Sequence, residues 1–257
     1  MKILVINGSP RKGKTHQITE VIKKRIKTLG NIEFEYLFLK DLNLEICRGC
    51  FTCIQKGEDL CPIKDDRKKI EQQIMKADGL ILASPVYAFT VTSLMKNFFD
   101  RFAYLFHRPK YFHKNILVLS TTIAVGLKQT LKYLEKAGNW GFDEVHKLGV
   151  MNYPFLPDKL KLKIQVEINS VVDKFYHSLT SNKPCSPTLN DLIHFQVMRM
   201  LPVLSKEYWA ADYEYYKDKM DLDYYYPVRI NIFKKLLSKV IGYRINKSMH
   251  KTMTRNL

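Results

Sequence analysis

The sequence predicts an α/β protein: a doubly wound, five-stranded parallel sheet over residues 1–180, followed by a helical extension over residues 186–257. Three observations carry this reading. Short, wholly apolar runs at residues 3–6 and 79–83 suit strands buried on both faces. Segments with apolar residues at helical spacing separate such runs, which is the βαβ pattern of a parallel sheet covered by helices. Beyond Leu179 the alternation stops, and the chain turns basic and rich in tyrosine.

Taken in order, residues 3–6 form the first strand, and residues 15–29 repeat Ile18, Val21, Ile22 and Ile26 at helical spacing. Residues 32–39 alternate around Phe34, Tyr36 and Phe38 as a second strand. After a cysteine-rich loop, a polar helix is predicted over 66–76, a third strand over 79–83 and a helix over 94–104. A fourth strand spans 115–120 with a helix over 127–137; a fifth strand spans 144–151 with a closing helix over 160–179. In such a sheet, ligands bind beyond the carboxyl ends of the strands where strand order reverses. The loops opening at Gly8, Ser84 and Ser120 are therefore the candidates.

Composition sets the frame for function. In 257 residues, 46% hydrophobic and 12% aromatic content supply a packed core, and the formal charge of +17 calls for an acidic partner, whether a phosphate-bearing cofactor, anionic lipid or nucleic acid. The opening apolar run is too short for a signal-peptide core. The longest uncharged stretch, residues 79–95, contains Pro85 and is shorter than a membrane span. A cytoplasmic location is expected, where cysteines are reduced, metal-bound or catalytic.

The first loop, Gly8-Ser9-Pro10-Arg11-Lys12-Gly13-Lys14-Thr15, follows a strand and opens a helix. Unpaired amides at a helix start, the hydroxyls of Ser9 and Thr15, and the charges of Arg11 and Lys14 suit a phosphate. The eight residues also fit the G-x-x-x-x-G-K-[ST] nucleotide loop. An NTPase additionally needs an acidic residue ending a neighbouring buried strand to hold magnesium. The strands at 79–83 and 115–120 run into Ser84-Pro85 and Thr121-Thr122 instead, and Asp41 follows Lys40 in a poor context.

Gly8-Ser9-Pro10-Arg11 with Thr15, and Ser84-Pro85-Val86-Tyr87 followed by residues 94–101, resemble the two signatures of the NAD(P)H-dependent FMN reductase family. That resemblance implies a flavodoxin-like fold, FMN as cofactor and a reduced nicotinamide, NAD(P)H, as electron donor. It implies that Pro85, Val86, Tyr87 and Phe89 contact the flavin ring, and that Thr121, Thr122 and Gly126 touch its other edge. A homo-oligomer and a small-molecule or protein electron acceptor are expected on the same ground. Lys14 departs from the pattern, because the family commonly has Asn or a small polar residue there. Independently of the family, Pro85 stiffens a strand-end loop, Tyr87 offers a flat stacking face, and the threonines suit a polar ring edge. No catalytic acid or base is evident, and hydride transfer to a flavin requires none.

Cys47-x2-Cys50-x2-Cys53-x7-Cys61 places four thiols between the second strand and the next helix. Four thiolates suit a [4Fe–4S] cluster or zinc, and unliganded structural or reactive thiols are the alternative. The motif resembles that of the iron–sulfur flavoproteins, and the resemblance implies a cluster that relays electrons to or from FMN. Cys185 stands apart as an ordinary thiol.

Residues 181–187 read as a linker. Residues 192–204 look helical up to Pro202, and an aromatic cluster follows at 208–226. From Arg229 to the end there are eight Lys/Arg residues and no acid, with Ile230, Phe233, Leu237, Val240 and Ile241 at helical spacing. That pattern predicts a helix with one apolar and one cationic face, packed on the protein or on a second subunit; contact with a membrane surface is a second reading. Nucleic acid is not expected, since no stacking motif is suitably spaced. The two alternatives to a flavin oxidoreductase are a P-loop NTPase using residues 8–15 and a non-enzymatic binding module on the same fold.

Overall fold

The computed structural model describes residues 1–153, 155–181 and 185–255. In chain order the main elements are β1 (Lys2–Asn7), α1 (Lys14–Leu29), β2 (Glu33–Phe38), α2 (Thr52–Gln55), α3 (Arg67–Lys76), β3 (Gly79–Pro85), α4 (Ser93–Arg101), β4 (Asn115–Thr122), α5 (Leu127–Leu134), β5 (Glu144–Met151), α6 (Asp158–Thr180), α7 (Leu189–Leu204), α8 (Ala210–Tyr216) and α9 (Ile232–Arg255). The chain divides into two compact units. The first comprises Met1–Cys47, Ile63–Phe102 and Tyr111–Lys183; the second gathers Arg48–Pro62, Ala103–Lys110 and Pro184–Leu257.

In the first unit all five strands pair in parallel, in the order β2-β1-β3-β4-β5. This is the flavodoxin-like order, with its reversal between β1 and β3. The sequence pattern explains it. Ile3, Val5, Ile81, Leu117 and Leu148 point to one face, where they form one core with Ile22 and Ile26 of α1 and Ile168, Val172 and Phe175 of α6. Alternation along each strand sends Leu4, Ile6, Leu80, Leu82, Ile116 and Val118 to the other face, and these are buried as well. Burial on both faces is why these strands read as unbroken apolar runs. Near this second face Phe98, Phe99 and Phe102 pack around Trp140.

Two predicted helices are shorter than their patterns. The run predicted over 94–104 leaves the α-helix after Arg101, and residues 103–110 belong to the second unit. The run predicted over 127–137 is α-helical to Leu134 and continues as a tighter 3-10 segment, Glu135–Trp140, which brings Trp140 into the core.

In the second unit Phe195 of α7 packs against Tyr216, Tyr224 and Tyr225. The Tyr216 hydroxyl donates to the His107 carbonyl at 2.6 Å, and the Tyr215 hydroxyl to the Pro109 carbonyl at 2.6 Å. Helix α7 begins earlier than predicted because Thr188 and Asp191 form a reciprocal capping box, and it runs past Pro202 to Leu204. A proline in the last turn removes a single helical hydrogen bond, so the helix ends there rather than breaking. Of the predicted linker, residues 182–184 lie outside the described residues. The final helix forms, but its buried stripe is not the apolar one: Ser238 and Asn246 are buried while Phe233, Leu237 and Val240 are exposed. No helix among the described residues is long and apolar enough to cross a membrane.

Candidate functional site

The carboxyl ends of β1, β3 and β4 carry three loops that enclose one pocket. Its lining consists of Ser9, Arg11, Gly13, Lys14, Thr15, Pro85, Val86, Tyr87, Thr121, Thr122, Ile123 and Asn152.

The first loop is shaped by its own polar groups. The Ser9 amide donates to Asn7 Oδ1 at 2.8 Å, and the Ser9 hydroxyl donates to the Arg11 carbonyl at 2.7 Å. The Gly8 amide donates to the Ala83 carbonyl, and Thr92 Oγ1 donates to the Gly8 carbonyl at 2.7 Å, which fixes the loop to β3 and α4. Gly13 stands at the start of α1 with no side-chain cap, so the helix presents its first amides and its positive end to the pocket. Beside them stand the hydroxyl of Thr15 and the cationic Arg11 and Lys14. This donor set fits an anion such as a phosphate.

The second loop is a tight turn. Tyr87 and Thr90 exchange backbone hydrogen bonds of 2.8 and 3.0 Å, and the two residues between them, Ala88 and Phe89, have φ of 45° and 63°. Positive φ at both central positions is the type I′ pattern, costly for residues with a β-carbon. The turn holds Pro85, Val86 and Tyr87 along one wall. In the third loop the Thr122 hydroxyl accepts from the Ala124 amide and donates to the Val125 carbonyl, and its carbonyl accepts from the Asn152 amide at 2.7 Å. The Thr15 and Thr121 hydroxyls share a buried 2.7 Å hydrogen bond that ties the first loop to the third.

Nine of the eleven residues singled out from the sequence for this site line the pocket together. Phe89 and Gly126 do not. Phe89 is 62% exposed at the turn tip. Gly126, at φ 97° before α5, supports the wall from behind: a β-carbon there would lie 2.6 Å from Val86 Cγ1 and 3.2 Å from the Phe89 α-carbon. Gly13 lines the pocket as part of the phosphate-suited loop, while Ile123 and Asn152 were not singled out. Asn152 follows β5, and the rule that ligands sit beyond strand carboxyl ends is the signal that points to it. Among the described residues no Asp or Glu lines the pocket, so the magnesium-holding half of P-loop chemistry has no residue among them.

Apart from Cys47, the cysteine segment belongs to the second unit. Cys61 is buried, Cys47 and Cys53 are half-buried and Cys50 is exposed. The segment is turned tightly, with Gly49, Phe51 and Gly57 at positive φ. Buried Arg108 holds it: the guanidinium donates to the carbonyls of Cys53 and Ile54 and to Glu58, and pairs with Asp212 of α8. His107 Nδ1 lies 2.8 Å from the other Asp212 oxygen. Burial pushes the Glu58 carboxyl up, but the hydrogen bond and charge of Lys110, joined by Arg108, outweigh it and hold the group at about 2. Among the described residues no three His, Cys, Asp or Glu side chains are gathered as a metal site.

A family model described as NADPH-dependent FMN reductase matches residues 1–148. The chain belongs to the NADPH-dependent FMN reductase family. Membership places it among FMN-containing oxidoreductases. An iron–sulfur flavoprotein of Archaeoglobus fulgidus is 42% identical over 101 residues, a match covering 39% of this chain and 48% of that relative, about half its length. An iron–sulfur flavoprotein of Clostridioides difficile is 30% identical over 224 residues, covering 86% of this chain and 96% of that relative. Among solved structures, an NAD(P)H:quinone oxidoreductase from Methanothermobacter marburgensis superposes with a TM-score of 0.54 at 16% identity, covering 69% of this chain and 98% of that one. At that identity the likeness is one of fold. The phosphate-suited loop and the carboxylate-free wall of the pocket fit FMN, the cofactor that the family's description names.

Proposed function

We propose that this chain oxidises NAD(P)H through FMN held in the pocket and passes the electrons to an organic acceptor of the quinone or azo class. The observation that carries the reading is the shared lining of the three loops: amides, hydroxyls and cations at the start of α1 on one side, Pro85-Val86-Tyr87 and the threonines on the other. When bound, FMN supplies the hydride and single-electron chemistry. The protein's part is to hold it. Ser9, Arg11, Lys14, Thr15 and the first amides of α1 neutralise and orient the phosphate. Pro85, Val86 and Tyr87 give the ring a stiff, flat wall, and Thr121, Thr122 and Asn152 offer donors and acceptors to its polar edge. The test is a visible absorption spectrum of the protein purified without oxygen. A two-banded flavin spectrum bleached by NADH or NADPH supports the proposal. A protein that stays colourless after incubation with FMN overturns it.

We further propose that Cys47, Cys50, Cys53 and Cys61 carry a [4Fe–4S] cluster. Two things support this: a donor set of four thiols within fifteen residues, and the names of the relatives that match this segment's chain along most of its length. The proposal requires the four thiols to converge on one centre. Iron and acid-labile sulfide analysis decides it: about four irons per chain are expected, and a Cys50→Ala protein should lose them while keeping FMN. Full iron retention in that variant sinks the assignment.

A further inference from the structure

Helix α9 turns two unlike faces. Toward α7 it presents small and polar residues. Ser238 is buried, and Asn246 Nδ2 donates to the Gln196 carbonyl at 3.2 Å. Gly242 permits the close approach, since a β-carbon there would lie 2.6 Å from Gln196 Cβ. The large apolar residues therefore face away: Phe233 is 78% exposed and Tyr243 67%, and Leu236, Leu237 and Val240 are exposed with them. At 100° per residue these five cover roughly a 120° arc, opposite the Ser238–Gly242–Asn246 stripe. The same arc continues through Arg244, Lys247 and Lys251.

Five adjacent exposed apolar side chains on one helix are a surface in want of a partner. Charge selects which. The 29 residues from Arg229 onward carry eight Lys/Arg and no acid, within a chain of net charge +17. Asp223 offsets Lys235 and Lys239, which lie off this arc, whereas two copies packed through the arc would bring Arg244, Lys247 and Lys251 against their counterparts. A surface that takes apolar side chains and many cations together, along one side of a helix, is the interface of a bilayer with anionic headgroups. Lysine and arginine stems lie along the acyl boundary while their charged ends reach the phosphates. We propose that the outward face of α9 docks this protein on an anionic membrane surface, with the helix lying in the interface plane. This inference stands apart from the flavin assignment, since it uses neither the pocket nor the cysteines.

The test is cosedimentation of the full-length protein with sucrose-loaded vesicles. Binding to mixed phosphatidylglycerol–phosphatidylcholine vesicles, absent with pure phosphatidylcholine and weakening as salt rises, is expected. A Phe233→Glu/Val240→Glu protein should lose binding while its thermal unfolding is unchanged, because both side chains already face solvent. Lys247→Gln alone should weaken binding roughly fivefold. Failure of the wild type to sediment with anionic vesicles overturns the proposal. So does equal binding to neutral vesicles, or a wild-type dimer in sedimentation equilibrium that Phe233→Glu converts to monomer, since that result gives the face to a second copy.

Discussion

The guanidinium of Arg108 pairs with the carboxylate of Asp212 across 104 residues of sequence, and both are almost wholly buried. The pair joins the helical extension to the cysteine segment, because Arg108 also binds the carbonyls of Cys53 and Ile54. Removing one member of a buried pair leaves an uncompensated charge, so Asp212→Ala should cost about 3–5 kcal/mol in urea unfolding. The Arg108→Met/Asp212→Leu double variant should recover most of that stability, since a neutral apolar pair replaces the ions. It should still release the two carbonyls, and thiol labelling of Cys53 should be faster than in wild type. Labelling at the wild-type rate would show that the pair only stabilises the unit.

Glu58 makes stability depend on acid. Its carboxyl sits at about 2 when folded, against an ordinary 4.5. A depressed folded value means that the stabilisation is complete above the unfolded value and is lost as pH falls from about 4.5 toward 2. The pair of values sets a ceiling of about 3 kcal/mol for that loss. Comparing urea midpoints of wild type and Glu58→Gln across this window measures it. The difference should be largest above pH 5 and should close near pH 2.

The sheet was legible in the sequence because a strand buried on both faces is apolar along its middle, as 79–83 and 116–119 are. The phosphate-suited loop was legible because strand, turn residues and helix start adjoin in sequence. The second unit was not. Its core joins segments 48–62 and 103–110 to residues beyond 184, and nothing local to Arg108 or Asp212 announces a partner so distant. The face of α9 misled for a related reason. Apolar spacing predicts which residues share a face, but a close helix approach through Gly242 rewards small residues at the contact and leaves the large ones outside. The exposed position of Phe89 at the turn tip was not legible, because a type I′ turn with residues other than glycine is not expected from Tyr-Ala-Phe-Thr.

Gly126 tests how the second and third loops support each other. At φ 97°, and with Val86 Cγ1 and the Phe89 α-carbon so close, alanine meets both a backbone penalty and a steric one. Gly126→Ala should lower stability by about 1–3 kcal/mol and displace the Val86–Phe89 turn. FMN affinity, followed by quenching of flavin fluorescence, should fall about tenfold or more if the ring lies along that turn. Unchanged affinity in a destabilised protein would move the ring away from Val86.

The Thr15–Thr121 hydrogen bond gives the sharpest test of the pocket, because both hydroxyls are buried and each lies on a different loop. Thr121→Val keeps the shape and removes the hydroxyl, leaving the Thr15 hydroxyl without this partner at a cost of about 1–3 kcal/mol. Thr15→Val should cost a similar amount. If the two groups act only through each other, the double variant should be little worse than either single one, with a coupling energy on the order of 1 kcal/mol or more. The same cycle measured on FMN binding separates two roles. Coupled losses of affinity would mean that the bond preorganises the loops before FMN arrives. Independent, additive losses would mean that each hydroxyl turns to the bound flavin and that their mutual bond gives way when it binds.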